Sequence, residues 1–219
     1  MAEITAKLVQ ELREKTGAGM MDCKKMLTEA GGDLAKAEEL LRKKGITKAG
    51  SKAGRVATEG AVASYIHMGG KIGVLLEVNC ETDFAARNEG FLALVKDLAM
   101  HVAAAAPQYV RREEVPADFL AKEVEIVKAQ LREQKKPEAM LDKIAAGKVE
   151  KIYSEICLLE QPFVKDDKKK VQDVVTEAIA KIGENIQVRR FTRYALGEGL
   201  AKKQENYAEE VAKAAGLAK

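Results

Sequence analysis

No tryptophan occurs among the 219 residues of this chain, and phenylalanine and tyrosine together supply only 5% of it. Any core must rest mainly on Ala, Val, Leu and Ile, which an apolar content of 47% permits. Cysteine is equally scarce. Cys23, Cys80 and Cys157 are odd in number, far apart, and form no CxxC pair, which excludes a disulfide framework and a paired-thiolate metal site and fits a reduced, cytosolic protein. No apolar run is long enough to span a membrane. The start, "MAEITAKLVQELREK", has no apolar core of signal-peptide length, and Glu3 and Glu11 argue against a transit peptide. Neither sign of charge dominates: 37 basic residues face 34 acidic ones, a net charge of +3, whereas a nucleic-acid binder gathers a clear basic excess. There is no HExxH, no acidic calcium loop and no phosphate-binding glycine loop after a strand. "GAGMMDCKK" holds only GxG between two helices. No metal and no cofactor is expected.

What is present reads in blocks. Ile4, Leu8 and Leu12 share a helix face, and Thr16–Gly19 breaks that helix. Cys23, Met26, Leu27 and Ala30 mark a second helix stopped by Gly31 and Gly32. Asp33 is a suitable cap for a third, with Leu34, Ala37 and Leu41 inward and Gly45 as its end. Residues 1–45 are thus expected as a three-helix bundle. Residues 46–60, with glycines and basic residues and no period, are expected as a linker, flexible unless docked. Two β-rich runs, Ala61–His67 and Lys71–Cys80, flank "MGG" and predict a hairpin. Asn88 can cap a helix whose stripe is Phe91, Val95, Leu98 and Val102. A helical hairpin follows at about 116–147, with a narrow stripe of Leu120, Val124, Val127 and Leu131 opposite Met140 and Ile144. Such a stripe suits a coiled-coil seam or a contact with a second copy, so a homodimer is one expectation. "CLLEQPFVKD" reads as a helix end passing into an extended segment, and Lys168–Lys170 as a solvated helix start. Val171, Val174, Ala178 and Ile182 mark the helix that ends at Gly183; "ENIQVRRFTRYALGEG" reads as a strand and turn, and the tail from Asn206 as an Ala-rich helix. Helices and strands fall in separate blocks, so the fold class is α+β: a bundle at 1–45, a linker at 46–60, a core at 61–199 in which helices cover a small antiparallel sheet, and a helical module at 200–219.

Three stretches carry candidate chemistry. In "VRRFTRY", Arg189, Arg190 and Arg193 beside Phe191 and Tyr194 offer an RNA-binding strand; the alternative is that the arginines meet carboxylates or solvent while the aromatics pack. Cys80 with His67 is the candidate catalytic pair. Met20 and Met21 offer either core filling or an adaptable surface. The most informative stretch is "NCETDFAARNEGF". Thr82 or Asp83 can cap a short helix with Phe84 as a staple. Asn88, however, already supplies the cap for the stripe beginning at Phe91, which leaves residues 82–87 as a protruding turn. An aromatic on a rigid turn is then a probe for another protein's pocket, with Asp83 beside it to accept hydrogen bonds or repel phosphate.

"ITAKLVQELREKTGAGMMDCKKML", "YIHMGGKIGVLLEVNCETDFAARN", "CLLEQPFVKD" and "IGENIQVRRFTRYALGEG" together resemble the elongation factor Ts family of bacteria, in order and over nearly the whole chain. The chain is similar to the short members, which lack a duplicated core subdomain and a long inserted coiled coil. It has Ala85 where the family usually has Val. The resemblance implies a UBA-like N-terminal bundle and a guanine-nucleotide exchange factor, not an enzyme of covalent chemistry. Its partner would be elongation factor Tu in its GDP-bound and nucleotide-free states, in the cytoplasm or, alternatively, the plastid stroma. It further implies that Thr82, Asp83, Phe84 and Ala85 form the wedge that dislocates Mg²⁺. Leu12, Met20 and Met21 would grip the GTPase domain, and Tyr207 and Val211 would clasp it from the C-terminal helix. Two modest grips on a flexible tether would gain from effective concentration.

Overall fold

The computed structural model describes residues 4–200. Helices α1 (Ala6–Thr16), α2 (Met20–Glu29) and α3 (Leu34–Gly50) form the N-terminal bundle. Thr5 and Asp33 cap α1 and α3 through their side chains, and Gly17 in the left-handed conformation ends α1. Its core is small: Val9, Leu12, Cys23, Met26, Leu27 and Ala37 are buried together. Gly45 does not end α3, which runs five residues further. The position is glycine because α3 crosses the last helix of the core there; a Cβ at Gly45 would lie 3.2 Å from that of Ala180.

The core is built on a three-stranded antiparallel sheet in the order β1-β2-β5, from β1 (Glu59–His67), β2 (Ile72–Cys80) and β5 (Gln187–Ala195). Gly69 and Gly70 take positive φ in the hairpin turn. On β1, Gly60 has φ +140° and a Cβ there would sit 2.1 Å from the Val78 carbonyl oxygen, so only glycine lets the strands close. One face of the sheet, with Val74, Leu76, Val78 and Val188, is covered by α5 (Glu89–Ala105), against which α8 (Val171–Ile182) packs in the same core cluster. The predicted α5 stripe, Phe91, Val95, Leu98 and Val102, is buried throughout, and Asn88 caps the helix through a 2.8 Å bond from the Gly90 N–H. Between β2 and α5 lies the four-residue helix α4 (Asp83–Ala86).

Helices α6 (Ala117–Glu133) and α7 (Glu138–Ile156) form a hairpin that starts where expected and runs nine residues past the expected end at 147. Leu131, Leu141 and Ala145 are buried, so the two stripes meet there. Leu120, Val124, Val127 and Ile144 are half-buried, and Met140, expected on the inner face, is exposed because it lies beside the hairpin's turn. Lys128–Asp142 and Arg132–Glu138 pairs join the two helices at 2.9 and 3.0 Å. Arg112 fixes the root, bonding Glu150 of α7 and Glu160 while lying 4.6 Å over the Tyr153 ring. The Arg112 guanidinium, helped by Lys170, holds the Glu160 carboxyl down to about 2. Lys168–Lys170 do not start a helix. They lie in β4 (Asp166–Lys170), paired with β3 (Pro162–Phe163), because Lys169 and Lys170 find Glu177 and Glu160 from an extended backbone.

His101 is buried on α5 against Phe163. Its Nδ1 accepts the Val164 N–H at 3.2 Å, so Nε2 carries the proton and donates to Gln161 Oε1 at 3.0 Å. Burial holds its pKa below the ordinary value. The unfolded chain therefore takes up a proton near about pH 6.5 that the folded one refuses. This stability is fully present above about pH 6.5 and is lost as pH falls below that value towards the folded pKa. Urea-unfolding midpoints should drop between about pH 7 and about pH 5, and should run flatter in His101→Gln.

Candidate functional site

The exposed tip follows directly from where β2 ends. Past Cys80 the chain leaves the sheet, and Thr82 (φ −130°, ψ 157°) caps α4 by accepting the Ala85 N–H at 3.2 Å on Oγ1. Thr82 and Asn88 are thus both caps, one for each of two consecutive helices. The helical turn buries Ala85 and throws Phe84 outward, where it is 81% exposed. Ala85 belongs to the core cluster and seats the turn against β1 and β2. Asp83 stands beside Phe84 on the first turn, partly exposed, and pairs with Arg87 at 3.1 Å. That contact joins two exposed groups and is weak enough for a partner to exchange it.

A ring of bonds holds the turn from below. The Glu184 carboxylate, just beyond the glycine that ends α8, accepts the Glu81 and Thr82 N–H groups at 3.2 and 3.1 Å and the Thr82 hydroxyl at 2.7 Å. Glu81 accepts the Asn185 N–H at 2.6 Å and meets Arg55 at 3.4 Å. The Asn185 N–H, with Arg55 after it, keeps the Glu81 carboxyl below the usual carboxylate range. Buried Asn185 donates to the Arg55 carbonyl at 2.7 Å, Gln187 to that of Ala53 at 3.4 Å, and Lys52 to that of Gly183. The segment between α3 and β1 is therefore docked on the core beside the tip. The expected free tether is instead a bonded arm. Spacing in the sequence gives no sign of these bonds, because all but the Arg55–Glu81 pair join residues more than 100 positions apart.

On the bundle, Met20 and Met21 open α2 and are 56% and 76% exposed. Met21 lines a shallow hollow with Lys24, Lys25, Thr28 and Glu29. Leu12 is fully buried in the bundle core and so offers no surface; it can act on a partner only by fixing how α1 and α2 meet. Tyr207 and Val211 lie outside the described residues.

The alternative sites separate. His67 pairs with Ile72 at one end of the hairpin and Cys80 with Glu59 at the other, roughly 27 Å apart at about 3.4 Å per strand residue. Burial raises the Cys80 thiol pKa and lifts that of Cys157 to about 11, so neither is a ready thiolate. Arg189 and Arg190 both bond Glu77 at 2.7 Å, and Arg193 donates to the Ala103 carbonyl at the end of α5. All three arginines are engaged within the chain while Phe191 packs on the core. Among the described residues no cluster could hold a metal ion, and no helix is long and apolar enough to cross a membrane.

Comparison with known proteins identifies the family. The family model described as Elongation factor TS matches residues 50–198, which take in the docked arm, the sheet and the tip. The chain is 79% identical to elongation factor Ts of Anaeromyxobacter dehalogenans strain 2CP-1 over 219 residues, all of both chains. It is 67% identical to elongation factor Ts of Geobacter metallireducens over 214 residues, 98% of this chain and 99% of the relative. With elongation factor Ts of Myxococcus xanthus it shares 62% over 218 residues, 100% of each. An α+β chain that aligns from end to end with such relatives belongs to the elongation factor Ts family of translation elongation factors.

Proposed function

We propose that this chain is a guanine-nucleotide exchange factor that binds elongation factor Tu in its GDP form. It displaces the GTPase's Mg²⁺, promotes GDP release, and stabilises the empty GTPase until GTP binds. The observation that carries this is Phe84, the large apolar side chain held outward on a bonded helical turn with Asp83 beside it. An exchange factor breaks no covalent bond; it must bind the nucleotide-free conformation better than the GDP-bound one. The coupling is reciprocal, so whatever factor the chain subtracts from GDP affinity, GDP subtracts from the chain's own. Burying one Phe contributes about 1.5–3 kcal/mol, one to two powers of ten at about 1.4 kcal/mol each. A larger acceleration needs further grips, and the exposed Met20 and Met21 on the bundle are the second. The wedge is Thr82–Ala85, with Thr82 and Ala85 seating the turn and Asp83 and Phe84 touching the partner. Release of fluorescent GDP from elongation factor Tu, followed with and without the chain across Mg²⁺ concentrations, tests this. Acceleration that shrinks as Mg²⁺ rises is expected; an unchanged rate with excess chain would refute it.

A second copy of the chain is the proposed partner of the sheet's outer face. Val62, Ile66, Leu75 and Tyr194 are exposed there, and Glu77, the carboxylate at their edge, is paired with Arg189 and Arg190. A two-fold contact requires a self-complementary patch, and four exposed apolar side chains on one face are complementary to their own copies. Leu75→Lys, at the central strand, should shift sedimentation from dimer to monomer; a parent chain that sediments as a monomer at high concentration would remove the proposal.

A further inference from the structure

The bonds under the tip raise a question that the wedge alone does not answer. Gly183, in the left-handed conformation, turns the chain out of α8 and lays residues 184–186 alongside residues 80–82, past the last paired strand residues, Asn79 and Gln187. Two acids, Glu81 and Glu184, then sit on adjacent segments. Each takes a backbone N–H of the other's segment: Glu184 accepts from Glu81 N, and Glu81 from Asn185 N. Arg55 offsets the charge of Glu81, and each carboxylate meets backbone donors of the other's segment. A fold needing only to join these segments could do so with one.

We propose that Glu184 is a positioning residue for nucleotide exchange: its carboxylate fixes the Glu81–Thr82 backbone and the Thr82 hydroxyl so that Phe84 is presented already ordered. This rests on the exchange reading given above. The chemistry of the threonine hydroxyl supports it. A hydroxyl has one proton; committing it to Glu184 Oε1 at 2.7 Å leaves a lone pair for the Ala85 N–H at 3.2 Å. The carboxylate thereby sets the cap of α4, and the cap sets the direction of Phe84. Without it the turn would have to be ordered during binding, and that ordering is charged against affinity for the transition state of release. Glu184 itself lies below the turn and acts on the partner only through Phe84.

Glu184→Gln tests this, because its amide oxygen can accept only part of what two carboxylate oxygens accept now. Glu184→Asp, which keeps the charge and shortens the reach, is the second variant. Without any GTPase present, hydrogen exchange at the Glu81 and Thr82 amides should accelerate in both, while the far-UV spectrum stays that of the parent. With elongation factor Tu, the saturating rate of GDP release should fall about tenfold, the cost of ordering a few backbone bonds at the moment of binding. In a Phe84→Ala background the same change should cost nothing further, since the group it positions is gone. An equal loss in both backgrounds means a general structural role and overturns the proposal. So do unaltered amide exchange, and faster amide exchange with an unaltered release rate. If the parent itself fails to accelerate release, the exchange reading falls and this role falls with it. A parent that works while both variants match it sinks the positioning role alone.

Discussion

Phe84→Ala should keep the fold and lose most of the proposed exchange activity. The side chain is 81% exposed, and surface replacements of this kind change stability by about 0.5 kcal/mol or less, so the unfolding midpoint should stay within about 2 °C of the parent. Alanine is the better helix former, which favours α4 slightly. The partner sees the change differently. A ring that would be buried in a pocket is gone, and with it about 1.5–3 kcal/mol of preference for the emptied GTPase. Stimulated GDP release should fall about ten- to a hundredfold. Binding through the proposed second grip, Met20 and Met21 on the bundle, should persist, so the variant at high concentration should still compete with the parent for elongation factor Tu. A variant that unfolds would place Phe84 in a core instead; a variant that releases GDP as fast as the parent would remove the wedge.

Most of the architecture was legible because most of it is local. The Phe91 stripe, the Asn88 cap, the glycine turn of the hairpin and the glycine stop at Gly183 follow from spacing and conformational preference within a few residues. Phe84 could be singled out because the cap for its neighbour helix stood elsewhere, which left an aromatic with no inward role. What was illegible depends on tertiary approach. Gly45 looks like a helix end in sequence and is a crossing point in space, 3.2 Å from Ala180 by its missing Cβ. The lysines at 168–170 look like a solvated helix start and are a strand, because their carboxylate partners lie on α8 and beside Cys157. Leu12 has the spacing of an inward residue and lies inward; only the family resemblance made it a contact. The hold of Glu184 on Thr82 spans 102 positions, and no periodicity reports a bond of that kind.

Phe91→Ala, the same substitution seven residues on, should give the opposite signature. Phe91 stands on the first turn of α5, fully buried in the cluster that joins the sheet to α5 and α8. Removing it leaves a void that close-packed strands cannot fill, at a cost of about 3–5 kcal/mol. For a chain of this size the midpoint should fall by about 6–20 °C. Exchange should fail on warming, in step with unfolding, and return on cooling, because the tip and its Glu184 bonds belong to the other end of the turn. Well below its midpoint, Phe91→Ala should release GDP at close to the parent rate per folded molecule, whereas Phe84→Ala should stay slow at every temperature. Circular dichroism and GDP release measured on the same samples from about 10 to 40 °C separate the two. If Phe91→Ala is fully folded at the low end and still slow, then the seat of α5 governs the tip as well, and the division between a ring that packs and a ring that is presented does not hold.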